Sequence, residues 1–195
     1  VEPGTAIAVH NEGAPVVAAL LRERGYRTAA LTGGGQMDFR LGFGRGFDEY
    51  RVHDWVNDPG ELERWLARSD GRRRFVFLHT YEIHDPYTHT RFTEVELEPG
   101  APAHYDKKLH ERIRGTLTEE QKRYVSDLYD GGIAYTDEKL GEIFERWRAS
   151  GVFERSIVVV TSDHGEQFWE HGSWRHGMKF RPAPPGSRSV ALAAV

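Results

Sequence analysis

Two runs of four consecutive apolar residues, Phe75-Val76-Phe77-Leu78 and Ile157-Val158-Val159-Val160, constrain the fold of this chain more than any other feature. Each is too short for a helix and too continuous for a strand with one wet face. Such runs predict strands buried on both sides, the environment of a parallel sheet covered by helices. The second run, rich in β-branched residues, is expected in the middle of the sheet.

A third strand is expected from Arg27 to Leu31. It follows a segment, Ala14 to Arg24, in which Val16, Val17, Leu20 and Leu21 recur at helical spacing and Gly25 stands where a helix commonly ends. Asn57 or Asp58 before Pro59 opens a further helix, expected to reach Arg68, because a polar cap there precedes a residue whose missing amide hydrogen is harmless in a first turn. Thr118 and Gln121 have capping-box spacing, and Val125, Leu128, Tyr129, Ile133, Leu140, Ile143, Phe144 and Trp147 continue as a helical stripe. Gly131-Gly132 interrupts the stripe, either as a kink or as close packing against a neighbour. The stretch from Gln36 to Asp54, glycine-rich and aromatic without a period, reads as loop. Arg91 to Gly115, polar and broken by Pro99, Gly100 and Pro102, reads as an insertion or lid. Helices alternating with short apolar strands predict an α/β fold with a largely parallel central sheet flanked by helices.

Composition narrows the classes of function. Apolar residues are 38% of the 195 and charged residues 29%, with ten Phe, eight Tyr and five Trp to bury, which argues for a folded chain. A net charge of −4 leaves no electrostatic footprint for nucleic acid, and Arg72-Arg73-Arg74 is too short to change that. No apolar stretch approaches the roughly 20 residues that span a bilayer. Without cysteine there is no disulfide, thiolate ligand or cysteine nucleophile within these residues.

In open α/β sheets ligands bind beyond the carboxyl ends of the strands. Both apolar runs lead into polar clusters: His79, Glu82, His84 and Asp85 after the first, Ser162, Asp163, His164 and Glu166 after the second. Asp163 and His164 would face opposite ways on a regular strand, so a turn, which Gly165 permits, must bring them together. A carboxylate beside a neutral imidazole is a ligand pair for Ca²⁺, Mn²⁺ or Zn²⁺. The plainer reading is a helix cap by Asp163 with His164 at the surface. Two more histidines follow at short range, His171 before Gly172 and His176 before Gly177, more than a cap requires.

These segments resemble the sulfatases of the alkaline-phosphatase-like superfamily. The resemblance rests on Thr161-Ser162-Asp163-His164-Gly165 with the two His-Gly pairs, on Leu78-His79 with His84-Asp85-Pro86-Tyr87, on Tyr129-Asp130-Gly131-Gly132-Ile133-Ala134-Tyr135 with Asp137, on Gly44-Arg45-Gly46-Phe47-Asp48, and on the helix-to-strand step from Leu20 to Thr28. It implies a partial sulfatase catalytic domain over residues 1–179, followed by a divergent tail over 180–195. The implied activity is metal-dependent hydrolysis of a small-molecule sulfate ester. Asp163 and His164 would be two ligands of one divalent metal, Ca²⁺ first, with Mn²⁺ or Zn²⁺ as alternatives. His84 would donate a hydrogen bond or proton to the leaving-group oxygen, and His176, where many relatives have lysine, would contact the sulfuryl group or the leaving oxygen. His79 and His171 would orient other groups. A periplasmic or secreted setting fits the family.

The family's nucleophile is a formylglycine matured from Cys or Ser in a C/S-x-P-x-R segment, with acidic metal ligands ahead of it. No residue here stands in that pattern, and in the family's order it would precede Val1. Little or no ester hydrolysis is therefore expected from these residues alone. A phosphodiesterase or phosphonate hydrolase of the same superfamily, or a non-catalytic domain retaining the fold, are the competing readings.

Overall fold

The computed structural model describes residues 14–68, 70–93, 105, 109, 117–169, 172, 174 and 176. They fall into two compact units, residues 1–82 and 83–195.

The first unit is built on three parallel strands: β1 (Arg27–Thr32), β2 (Glu49–Val52) and β3 (Arg74–Leu78), in the order β2-β1-β3. The central strand is the most deeply buried, with Thr28 through Thr32 all withdrawn from solvent, as the middle strand of a parallel sheet is. Helix α1 (Val17–Glu23) leads into β1, and α2 (Gly60–Leu66) lies between β2 and β3 in the chain. Helix α2 stops two residues short of the expected Arg68. Trp55, Val56, Leu62 and Trp65 complete the core of this unit, and Trp55 Nε1 donates to the His79 carbonyl at 2.9 Å.

Strand β2 corrects the reading of residues 36–54 as loop. Glu49-Tyr50-Arg51-Val52 alternates polar and apolar side chains, but four residues are too few for that pattern alone to separate strand from loop; pairing with β1 makes them a strand, with Ala29 opposite Glu49 and Thr32 opposite Val52. A reciprocal lock sets that register. The Thr28 amide donates to Asp48 Oδ2 at 3.0 Å, the Asp48 amide lies 2.9 Å from Thr28 Oγ1, and that hydroxyl donates to the Gly46 carbonyl at 2.8 Å. Gly46 itself has φ of +89° and lies so close to helix α1 that a Cβ would come within 2.2 Å of the Ala19 amide nitrogen. Only glycine fits both conditions.

The second unit is organised around α3 (Glu119–Ala149), a helix of 31 residues, about 46 Å long. The sequence signals are all realised at its start. Thr118 Oγ1 accepts from the Gln121 amide and the Gln121 side chain accepts from the Thr118 amide, while Glu119 and Glu120 occupy the first turn and Arg146 and Arg148 the last, complementing the helix dipole. Tyr124, Val125 and Leu128 pack with Tyr87, Tyr105, Leu109 and Trp174 into an aromatic-rich core. Tyr105 and Leu109 lie within the stretch read as an insertion or lid, yet both are buried, and Tyr105 exchanges two backbone hydrogen bonds with Tyr87 at 2.8 and 3.0 Å. The remainder of 94–116 lies outside the described residues, as does the 180–195 tail.

A second expectation is overturned as well: Ile157 to Val160 form no strand. Ile157 is 91% and Val159 65% exposed, and the run has no ladder partner among the described residues. β-branched composition creates a preference for extended backbone, but a strand exists only where a neighbour accepts its hydrogen bonds.

Of the two readings of Gly131-Gly132, close packing is correct. Helix α3 runs through both residues, and a Cβ on Gly131 would sit 2.2 Å from the His89 carbonyl oxygen, whereas Gly141 on the same helix has nothing within 4 Å. The two glycines should therefore respond oppositely to alanine. Gly141→Ala is expected to stabilise the chain by up to about 1 kcal/mol through helix propensity. Gly131→Ala is expected to lose about 1–3 kcal/mol by overpacking against backbone. Urea denaturation of both variants checks this, and equal shifts of the same sign would contradict it.

Candidate active site

Within the second unit the chain segments 84–87 and 163–176 meet. Tyr87, only 3% exposed, is enclosed by the rings of Tyr129, Phe168 and Trp174, with centroids at 5.6, 6.0 and 6.0 Å. Its hydroxyl donates to Glu166 Oε2 at 2.7 Å. The Glu166 side chain is 5% exposed, and His176 Nδ1 lies 3.0 and 3.1 Å from its two oxygens. The His176 ring in turn sits 4.0 Å from that of His164 and 5.4 Å from that of His84, centroid to centroid. Three imidazoles and a buried carboxylate are thus gathered from positions 84, 164, 166 and 176.

The predicted residues His84, His164 and His176 are brought together, with Asp163 beside His164. His84 is one-third exposed, and its Nδ1 lies 2.8 Å from the Asp85 carbonyl oxygen and 3.0 Å from Asp85 Oδ1. These two acceptors on one ring nitrogen give it the proton and leave Nε2 as the ring's other working atom. His79 belongs to the first unit, where its ring meets Tyr81 edge-on at 4.6 Å. His171 lies outside the described residues.

No helix begins at Asp163, so the capping alternative does not apply. Its Oδ1 accepts from the His164 amide at 3.0 Å, and its Oδ2 stands 3.6 Å from His164 Nε2. His164 Nδ1 lies 2.9 Å from the Gly165 carbonyl oxygen, which can only accept, so Nδ1 carries the hydrogen and Nε2 presents a lone pair. A ligating histidine is commonly held this way, its second nitrogen donating to a backbone carbonyl. A lone pair and a carboxylate oxygen side by side suit a cation in donor type. In number they fall short: among the described residues no three His, Asp or Glu side chains are placed to hold one ion. Asp163, 84% exposed, and His164, 45% exposed, fit part of a metal site, not a whole one.

Glu166 and Tyr87 are the residues whose roles the sequence did not disclose. Both were visible in the motifs, Glu166 after Gly165 and Tyr87 after Pro86. What could not be read was their mutual contact across 79 positions. Burial raises the Tyr87 phenol far above its ordinary value of 10.0, and the Glu166 charge raises it further.

The family model for Sulfatase matches residues 8–190, and the chain belongs to the sulfatase family. Among curated relatives, Arylsulfatase K from Bos taurus is 36% identical over 70 residues, which make up 36% of this chain and 13% of that protein. Choline-sulfatase from Rhizobium meliloti (strain 1021) is 33% identical over 58 residues, 30% of this chain and 11% of that protein. The matched stretches therefore span only a small part of those relatives. Among solved structures, the C-terminal periplasmic domain of phosphoethanolamine transferase EptC from Campylobacter jejuni superposes with a TM-score of 0.59 at 22% identity, over 85% of this chain and 50% of that one. That likeness supports the alkaline-phosphatase-like fold. No helix among the described residues is long and apolar enough to cross a membrane.

The Tyr87 phenol gives a signed pH dependence. Its pKa is raised on folding, so its contribution to stability is complete below about pH 10 and declines as the pH rises above the unfolded value. Tyr87→Phe is expected to lower stability at pH 7 by about 1.5–3 kcal/mol, since it removes a hydrogen bond to a charged group, and to flatten the loss of stability above pH 10. Urea midpoints measured from pH 7 to 11 check this, and a variant as steeply alkali-sensitive as wild type would contradict it.

Proposed function

We propose that this chain is part of the catalytic domain of a metal-dependent sulfuric ester hydrolase. The observation that carries the reading is the convergence of His84, His164 and His176 within one ring cluster, beside Asp163. In this reading the doubly protonated His84 ring gives its Nε2 proton to the leaving-group oxygen and becomes neutral, while Nδ1–H stays held by Asp85. His176 contacts the sulfuryl group or the leaving oxygen in place of a lysine. Asp163 and His164 contribute two ligands to a divalent cation, Ca²⁺ first and Mn²⁺ or Zn²⁺ as alternatives, whose remaining ligands come from outside the described residues. Such an ion would supply positive charge for the ester oxygens. The nucleophile, a formylglycine from a C/S-x-P-x-R segment, would likewise come from elsewhere, because no Cys or Ser of this chain stands in that pattern.

Two side chains should hold a hard cation weakly, since such ions take six or more oxygen-rich contacts. Calorimetric titration of Ca²⁺, Mn²⁺ and Zn²⁺ into the 195-residue chain is expected to give dissociation constants of about 10⁻⁴ M or weaker, with the residual signal lost in Asp163→Ala and His164→Ala. Tight binding that survives both substitutions would place the metal elsewhere.

Turnover tests the rest. The 195-residue chain is expected to leave 4-nitrophenyl sulfate at background. In a natural polypeptide carrying these residues together with the nucleophile segment, sulfate turnover is expected to exceed that of 4-nitrophenyl phosphate and of the corresponding diester. His84→Ala should then lower kcat/KM for the sulfate by about 10²–10⁴-fold, the range of a lost general acid. Preference for the diester or a phosphonate ester would favour the phosphodiesterase or phosphonate hydrolase reading. Inactivity on every ester would favour a non-catalytic domain.

A further inference from the structure

The role of Glu166 is not covered by the metal ligands or the acid. Its carboxylate is nearly inaccessible, which is costly for a charge unless it is hydrogen-bonded. Two donors are present: the Tyr87 hydroxyl at 2.7 Å and His176 Nδ1, placed astride both oxygens at 3.0 and 3.1 Å. An ionised carboxylate only accepts, so Nδ1 of His176 must carry its hydrogen. Tyr87 cannot yield its place easily, since three aromatic rings enclose it. The carboxylate is therefore fixed before any substrate arrives, and the imidazole is oriented by it.

We propose that Glu166 is a positioning residue that holds His176 in the Nδ1–H form, leaving Nε2 as the nitrogen that meets the ester, with Tyr87 clamping the carboxylate from behind. This rests on the reading of His176 as the group that contacts the sulfuryl moiety. The physical logic is that of a buried carboxylate selecting one tautomer of a catalytic imidazole, where the value lies in orientation as much as in charge. It also explains why a histidine can replace a lysine here. A lysine's charge points wherever its flexible stem allows, but an imidazole works only if the correct nitrogen faces the substrate.

The test is direct observation of the His176 ring by ¹⁵N NMR in the 195-residue chain, under conditions where the ring is neutral. Wild type is expected to show a protonated Nδ1 and an unprotonated Nε2. Glu166→Ala is expected to lose that preference and populate mainly the other tautomer. Glu166→Gln keeps the volume but offers an N–H donor in place of one oxygen, and is expected to show both tautomers. Tyr87→Phe, which leaves the carboxylate in place, is expected to retain Nδ1–H. If Glu166→Ala does not fold, wild type and Glu166→Gln decide the matter. An Nε2–H ring in wild type, or a ring indifferent to Glu166→Gln and Glu166→Ala, overturns the proposal. The outcome is independent of the assignment of His176 to the ester, which fails separately if His176→Ala leaves sulfate turnover in the natural polypeptide unchanged.

Discussion

The hydrogen bond from Tyr87 to Glu166 is the interaction on which the candidate site depends. It joins two segments that are 79 residues apart, and it does so at a place where both partners are withdrawn from water. A buried carboxylate without donors would cost several kcal/mol, and a buried phenol without an acceptor would cost less but still something. Each satisfies the other, and His176 Nδ1 gives the carboxylate a second polar partner. The aromatic cluster around Tyr87 supplies the apolar surface that offsets ordering these segments. Site and core are therefore one structure: the rings that bury Tyr87 are also what holds Glu166, and through it His176, in position.

The first unit shows the same economy in its backbone. Thr28 and Asp48 fix the register of β2 against β1 by bonding each other's amide groups, and Gly46 allows the connecting turn to lie directly on the backbone of α1. The Gly44 to Asp48 segment, one of those by which the chain resembles sulfatases, is thus explained by folding alone. It serves the register of β2 against β1 and the close approach to α1. Gly131 has a similar role in the second unit, where the absence of a side chain lets α3 approach the backbone at His89. Motifs of a catalytic family are in such cases motifs of packing.

Asp163 and His164 are a different kind of pair. They are exposed, and short-range hydrogen bonds hold them, the His164 amide donating to Asp163 Oδ1 and the His164 ring to the Gly165 carbonyl, with the His176 ring as the more distant neighbour. Their adjacency in sequence is informative for that reason: a pair of side chains brought together by a local turn can be read locally. His84 and His176 could be nominated only because their surrounding motifs match a family, since nothing in the sequence around position 84 specifies that its ring will lie near one at position 176. Glu166 was visible as a residue and invisible as a role, because burial and partner both come from the far end of a long-range contact.

The sequence by itself determined the α/β class, the helices at residues 17–23, 60–66 and 119–149 to within a few residues, two of the three strands, and the adjacency that makes Asp163 and His164 a candidate pair. These follow from apolar periodicity, capping residues and neighbouring side chains, all of which act over a few positions. Tertiary structure decided that Glu49 to Val52 is a strand and that Ile157 to Val160 is not, since strands are made by partners and not by composition. It also decided that Gly131 is a contact and not a kink, and that Glu166 lies between Tyr87 and His176. In each case the deciding atom belongs to a residue far away in the chain, a carbonyl, a ladder partner or a hydroxyl, and local sequence carries no record of its position.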